Sequence, residues 1–175
     1  MPTHAELAHD YLWRVHAVLP ERGTIGIFNR SHYEDVIAVR MLELAPEEVW
    51  RRRPRQINEF ERMLTEEGTT VVKVFLHVSK EEQATRFRER IADPEKQWKF
   101  RSADLDVHAR YDEYMAAYEE LLAETSTDWA PWHVVPADRN WVKAHVVASL
   151  LVHTLEQLDP QLPAPEAGIE KLQID

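Results

Sequence analysis

The sequence predicts an α/β fold, a single parallel sheet flanked by helices. Three observations point there. Short apolar runs at residues 23–28, 69–78 and 132–135 alternate with longer segments of helical period. The first two runs are each followed by a serine able to cap the next helix, Ser31 and Ser79. The chain has 175 residues, a length that suits one domain.

The elements follow in order. Leu7, Tyr11, Leu12, Val15, Val18 and Leu19 share a helical spacing over residues 5–19, closed by Pro20. Residues 23–28 (GTIGIF) read as a buried strand. Ser31 with Glu34 three residues on has the form of a capping box, which predicts a helix over 32–43. Pro46, Glu47 and Glu48 open a helix running to Glu67 and stopped by Gly68; Pro54 within it should kink or split it. Residues 69–78 (TTVVKVFLHV) are rich in β-branched side chains and predict the clearest strand. A helix over 80–91 ends at Asp93-Pro94, and residues 93–101 (DPEKQWKFR) predict a loop or lid. A long helix over 102–124, a third strand at 132–135 and a helix over 140–158 complete residues 1–158 as one domain. Residues 159–175 read as a Pro-rich tail.

Composition narrows the function. Cysteine is absent, which excludes disulfides and thiolate metal sites and suits a cytoplasmic location. No run approaches the ~20 apolar residues that span a bilayer, so no membrane partner is expected. The formal net charge of −10 is unevenly spread. Residues 1–101 carry 17 basic and 17 acidic side chains, whereas residues 102–175 carry 4 and 14. A polyanion would avoid the C-terminal third, and no segment has the sustained basic excess of a DNA- or RNA-binding protein.

Parallel sheets bind ligands beyond the carboxyl ends of their strands. That places residues 28–35 and 77–80 at the site. Asn29, Arg30, Glu34 and Asp35 follow the first apolar run; an arginine fork suits phosphate and a nearby carboxylate can hold Mg²⁺. The same residues also fit a plain capped helix start. Arg86, Arg88, Arg90, Lys96, Lys99 and Arg101 surround the predicted lid, either as mobile cations over a phosphoryl group or as a solvated helix face. Arg51, Arg52, Arg53 and Arg55 are a third basic cluster, open to a polyanion or to surface use. The nine histidines form no strong ligand spacing, and none of the four glycines lies in a G-x-x-x-x-G-K-[ST] or G-x-G-x-x-G loop.

Several segments in order, ELAHDYLWRVHAVLP, IGIFNRSHYEDV, EEVWRRRPRQINEFERMLTEEGTTVVKVFLHVSKEEQ, DPEKQWKF and APWHVVPADRNW, resemble the polyphosphate kinase 2 family up to about residue 158. FNRSHYED is similar to the branch called class III, which acts on nucleoside mono- and diphosphates. The resemblance implies a P-loop kinase-like sheet with a helical lid, and Mg²⁺-dependent phosphoryl transfer between polyphosphate and a nucleotide (AMP/ADP or GMP/GDP). It implies that Asn29 and Arg30 contact phosphates, Glu34 holds the nucleotide base, and Asp35 positions Mg²⁺ and the reacting phosphates. Arg86 would reach over the phosphates from the start of the lid helix, with Lys99 a further, weaker candidate in the lid. Asp35, Arg30 and Arg86 would be catalytic. A homo-oligomer is a further implication.

The family carries a Gly-rich phosphate loop ahead of the region that PTHAEL matches, so the resemblance implies a fold incomplete at its N-terminus, with that strand and the P-loop absent. Exposed strand edges and marginal solubility are expected of such a fold. Pro54 departs from the helix former or aromatic expected there. The alternative to a truncated enzyme is an inactive remnant that binds polyphosphate or nucleotide, or pairs with a full-length paralogue.

Overall fold

Two short strands sit between layers of helices in the computed structural model, which describes residues 3–169. The chain enters through α1 (His4–Leu7) and α2 (Trp13–His16). Thr3 and Glu6 form a capping box at α1. The single helix expected over 5–19 is broken, because the Asp10 carboxylate accepts from the backbone N–H of Leu12 (2.9 Å) and Trp13 (3.1 Å). A short polar side chain that competes for backbone donors ends one helix and starts the next.

The strand expected at residues 23–28 does not form. Ile25 and Ile27 are 71% and 86% exposed, and no strand pairs with this segment among the described residues. A strand needs a neighbour to satisfy its backbone, and an apolar run alone does not supply one. Arg30 then turns the chain with φ of 68°. Helix α3 (Glu34–Met41) starts later than expected, and Ser31 caps nothing with its side chain; its carbonyl instead accepts from the Glu34 N–H at 3.0 Å.

Pro54 does split the expected long helix. Helix α4 (Glu47–Trp50) and α5 (Arg53–Glu66) are separate, with Pro54 in the first turn of α5, where its missing N–H costs nothing. Gly68, at φ of 91°, turns the chain out of α5. Strand β1 (Lys73–His77) lies within the expected run, and Ser79 caps α6 (Lys80–Ala92), its hydroxyl accepting from the Glu82 N–H. The lid segment contains one 3₁₀ turn, Gln97–Lys99.

The expected 102–124 helix is two, α7 (Ala103–Ala109) and α8 (Tyr111–Thr125). Arg110 at the joint leaves helical torsions (φ −95°, ψ 20°) and donates to the Met41 carbonyl at 3.0 Å. Strand β2 (Trp132–Pro136) pairs in parallel with β1, Lys73 opposite Trp132 and His77 opposite Pro136. Helix α9 (Asn140–Leu158) ends where expected, at a left-handed Asp159. Residues 159–169 carry no helix longer than a turn; the remainder of the expected tail, 170–175, lies outside the described residues.

The core lies among α3, α5 and α8, where Tyr33, Val36, Ile37, Met41, Ile57, Ala117 and Leu121 are buried together. Each large aliphatic side chain there contributes roughly 1.5–3 kcal/mol by leaving water. A charged group closes the core toward the sheet. Lys73 Nζ donates to Glu61 Oε2 (2.7 Å), to the Tyr33 hydroxyl (2.9 Å) and to the Thr125 carbonyl (2.6 Å). Tyr33 in turn donates to Glu61 Oε1 at 2.8 Å. All three ammonium donors are used, which is the condition for burying such a pair.

Candidate functional site

The turn between residue 28 and α3 is fixed from below. His32 Nε2 lies 3.3 Å from Glu61 Oε1, and its ring stacks on Tyr33 at 4.8 Å. Tyr33 is anchored to the Lys73–Glu61 pair, so the buried network sets the position of residues 30–35. Burial pushes the Lys73 ammonium below the usual lysine range, opposed by the hydrogen bond and charge of Glu61. Burial also raises the Tyr33 phenol above its ordinary range, with the Glu61 charge adding to it. Tyr33 therefore remains a neutral donor.

Above this floor lies an open cavity of about 460 Å³. Val15, Val18 and Phe28 form its apolar wall; Arg14, Arg30, Glu6 and Glu34 supply charges of both signs. Arg30 holds the left-handed conformation that non-glycine residues avoid. Such an outlier persists only where surrounding structure enforces it, and Arg30 lines the cavity. No ion pair engages Arg30 among the described residues, unlike Arg14, Arg40, Arg51 and Arg55. Glu34, the first residue of α3, lines the same cavity and bears on the Tyr118 phenol, which burial first, and Glu34 second, push up to about 12.

Asp35 stands one residue on, and its carboxylate accepts from Arg14 Nη2 at 2.7 Å. Arg53 donates to its backbone carbonyl and stacks over Tyr11 at 4.6 Å. The Tyr11 hydroxyl donates to the α5 side at Gln56 Oε1 (3.3 Å). The entry segment is thus clamped onto the start of α3 by one arginine on each side of Asp35.

The structure brings Arg30 and Glu34 together at the cavity, and joins Asp35 to it through Arg14. Asn29 is exposed in the bend before Arg30. Arg86 and Lys99 do not line this cavity. The Arg86 guanidinium donates to Glu82 Oε1 (2.8 Å) and to the carbonyls of Ala137 (2.6 Å) and Asp138 (2.9 Å), so it ties α6 to the turn after β2. Lys99 is exposed, its ammonium 5.1 Å from the Trp98 ring centre. The arginine cluster is largely engaged, Arg51 with Glu47 and Glu120, Arg55 with Glu59 and Arg53 with Asp35. A second cleft, beside Arg40 and Trp50, has about 20 Å³ of room, space for one water.

Among the described residues no group of three carboxylates or histidines could hold a metal. A lone Asp35 fits one kind of site, in which Mg²⁺ is bound chiefly by phosphate oxygens and water with one or two protein carboxylates.

Sequence reasoning missed Arg14, Glu6 and His32 as cavity residues, and the Lys73–Glu61 pair. For Lys73 the signal was present: a lysine inside a β-branched run is rarely buried without a partner. For Arg14 nothing in the helical spacing marked it out.

A sequence profile of the polyphosphate kinase 2 family matches residues 1–163. The chain is 54% identical over 175 residues to the AMP/ADP-polyphosphate phosphotransferase of Meiothermus ruber, covering 100% of this chain and 66% of that protein. It is 44% identical over 174 residues to the ADP-polyphosphate phosphotransferase of Rhodopseudomonas palustris, covering 93% of this chain and 60% of that one. The crystal structure of polyphosphate kinase 2 from Arthrobacter aurescens TC1 superposes with a TM-score of 0.92 at 43% identity, covering 97% of this chain and 60% of that chain. The chain therefore spans roughly 60–66% of the length of these relatives. On the profile, the identities and the shared architecture, this chain belongs to the polyphosphate kinase 2 family.

Proposed function

We propose that this chain carries the nucleotide-binding face of a phosphotransferase that moves a phosphoryl group between polyphosphate and a nucleotide, AMP/ADP or GMP/GDP. The observation that carries the reading is Arg30, a left-handed cation with no ion pair among the described residues, lining a mixed-charge cavity. A left-handed arginine costs stability, and phosphate binding gives a reason to keep it here.

In this reading Arg30 and Asn29 hold phosphate oxygens and Glu34 accepts from the nucleoside. Val15, Val18 and Phe28 give the base an apolar wall. Asp35, next to Glu34 and paired with the cavity residue Arg14, would hold a phosphate-bound Mg²⁺, which when bound would spread the charge of the transferring group. The bond from the terminal phosphorus of polyphosphate to its bridging oxygen breaks as a terminal phosphate oxygen of the nucleotide bonds to that phosphorus, and the bridging oxygen leaves with a polyphosphate one unit shorter. Positioning and fixed charge are most of what such a transfer needs from the protein. Arg86 joins the site only if it leaves Ala137 and Asp138, and Lys99 only if the 93–101 segment closes. A cytoplasmic setting is part of the proposal.

A second reading, binding without transfer, is favoured by the tied position of Arg86. Phosphorus NMR of polyphosphate, ADP and Mg²⁺ with the chain separates the two. ATP formation abolished in Asp35→Asn supports transfer. Saturable binding of both substrates without product supports the second reading. Absence of binding to either overturns both.

A further inference from the structure

Asp35 is already occupied by a cation of the protein's own. The Arg14 guanidinium donates to its Oδ2 at 2.7 Å, with the two side chains 35% and 17% exposed, so the pair is neither buried nor fully in water. Arg14 also lines the cavity that holds Arg30, and Asp35 is its one ion-pair partner among the described residues. A guanidinium has five donors in a planar fork and serves carboxylate and phosphate with the same geometry. Arg53 holds the Asp35 backbone from the other side, through the carbonyl, so α3 keeps an anchor when the Arg14 bond opens.

We propose that Arg14 is a phosphate-binding residue whose ion pair with Asp35 is exchanged for phosphate when substrate enters; this rests on the reading of the cavity given above. Without ligand, Arg14 neutralises Asp35. With ligand, the guanidinium turns to phosphate oxygens beside Arg30, and the freed carboxylate faces the cation that accompanies the phosphates. The exchange keeps the local charge balanced in both states. It makes anion and metal binding cooperative, because each removes one partner of the pair.

The consequence is a pair of effects with opposite signs. Isothermal titration of the 175-residue chain with inorganic tripolyphosphate, free of divalent metal, measures the first. Arg14→Gln should weaken binding by about tenfold, whereas Asp35→Asn should tighten it by about threefold or more, since Arg14 no longer has a competing partner. Arg14→Lys, which keeps charge but not the fork, should fall between wild type and Arg14→Gln. The gain from Asp35→Asn should vanish in the double variant Arg14→Gln/Asp35→Asn. A gain in Asp35→Asn that depends on Arg14 separates the exchange from a general loss of negative charge, so the Asp35→Asn result is informative even if Arg14→Gln lowers stability. Unchanged or weaker tripolyphosphate binding in Asp35→Asn, with wild type binding normally, would overturn the exchange. Wild-type chain that binds no tripolyphosphate would overturn the reading of the cavity itself.

Discussion

Two regions joined end to end at residue 30 behave in opposite ways. The helical core from Tyr33 onward buries a charged pair, Lys73 and Glu61, and satisfies the ammonium completely. The segment before it, residues 23–28, is apolar and yet exposed, with Ile27 at 86%. Hydrophobicity did not decide which was buried. Lys73 is buried because Glu61, Tyr33 and the Thr125 carbonyl arrive from three different elements with matching geometry. Ile25 and Ile27 are exposed because nothing among the described residues pairs with them. Burial is a property of the partner as much as of the residue.

That contrast can be broken at either end. The largest expected effect is at the buried pair. Lys73→Met leaves the Glu61 carboxylate buried and uncompensated and should cost about 3–5 kcal/mol. Urea unfolding checks this, and Lys73→Met/Glu61→Leu should recover most of the loss. A small loss in the single variant would mean that water reaches Glu61. Next comes the apolar core itself: Ile57 is fully buried, and Ile57→Ala should cost roughly 2–5 kcal/mol in the same measurement.

A smaller, pH-dependent effect belongs to Glu120. The hydrogen bond from Arg40 holds its carboxyl below the usual glutamate range, with the charges of Arg40 and Arg51 adding to it. A depressed carboxylate stabilises the fold above the ordinary glutamate range and loses that contribution as pH falls toward the folded-state value. Arg40 and Glu120 are partly exposed, so solvent screening keeps the effect under about 1 kcal/mol. The melting temperature of Glu120→Gln should lie below wild type at neutral pH and converge on it as pH falls. A gap that widens in acid would have the wrong sign. The smallest effect is expected at Ile27→Ser, within about 0.5 kcal/mol, as for an exposed side chain. A loss above about 1 kcal/mol there would show that the segment is covered in solution and would remove the contrast.

The same contrast explains what could be read from sequence. Strand β1 was legible because five residues of a long β-branched run found a neighbour, β2, whose own run was also visible. The Ser79 cap and the limits of α9 were legible because they depend on residues close in sequence. The 23–28 strand was misread because pairing is not a local property. The helix over 5–19 was misread because Asp10 competes for backbone donors inside an otherwise helical period. At the proposed site, the order Asn29, Arg30, Glu34, Asp35 falls in the turn where Arg30 and Glu34 line the cavity. Arg14 arrives there from 21 residues upstream of Asp35, and no spacing rule links them. Sequence left Arg86 between a mobile cation and a helix-face pair; it pairs with Glu82 and is also engaged by two carbonyls from beyond β2. The resemblance supplied the family; local spacing alone left the turn open to a plain capped helix.

The most direct measurement compares the two basic clusters. Tripolyphosphate is titrated calorimetrically into the chain, into Arg30→Gln and into Arg51→Gln/Arg55→Gln, with thermal unfolding followed in parallel. Saturable binding that is lost in Arg30→Gln at unchanged melting temperature, and kept in the Arg51/Arg55 variant, is the expected result. Binding that survives Arg30→Gln and disappears with Arg51 and Arg55 would place the polyanion on α4 and α5, and would contradict the assignment of the cavity.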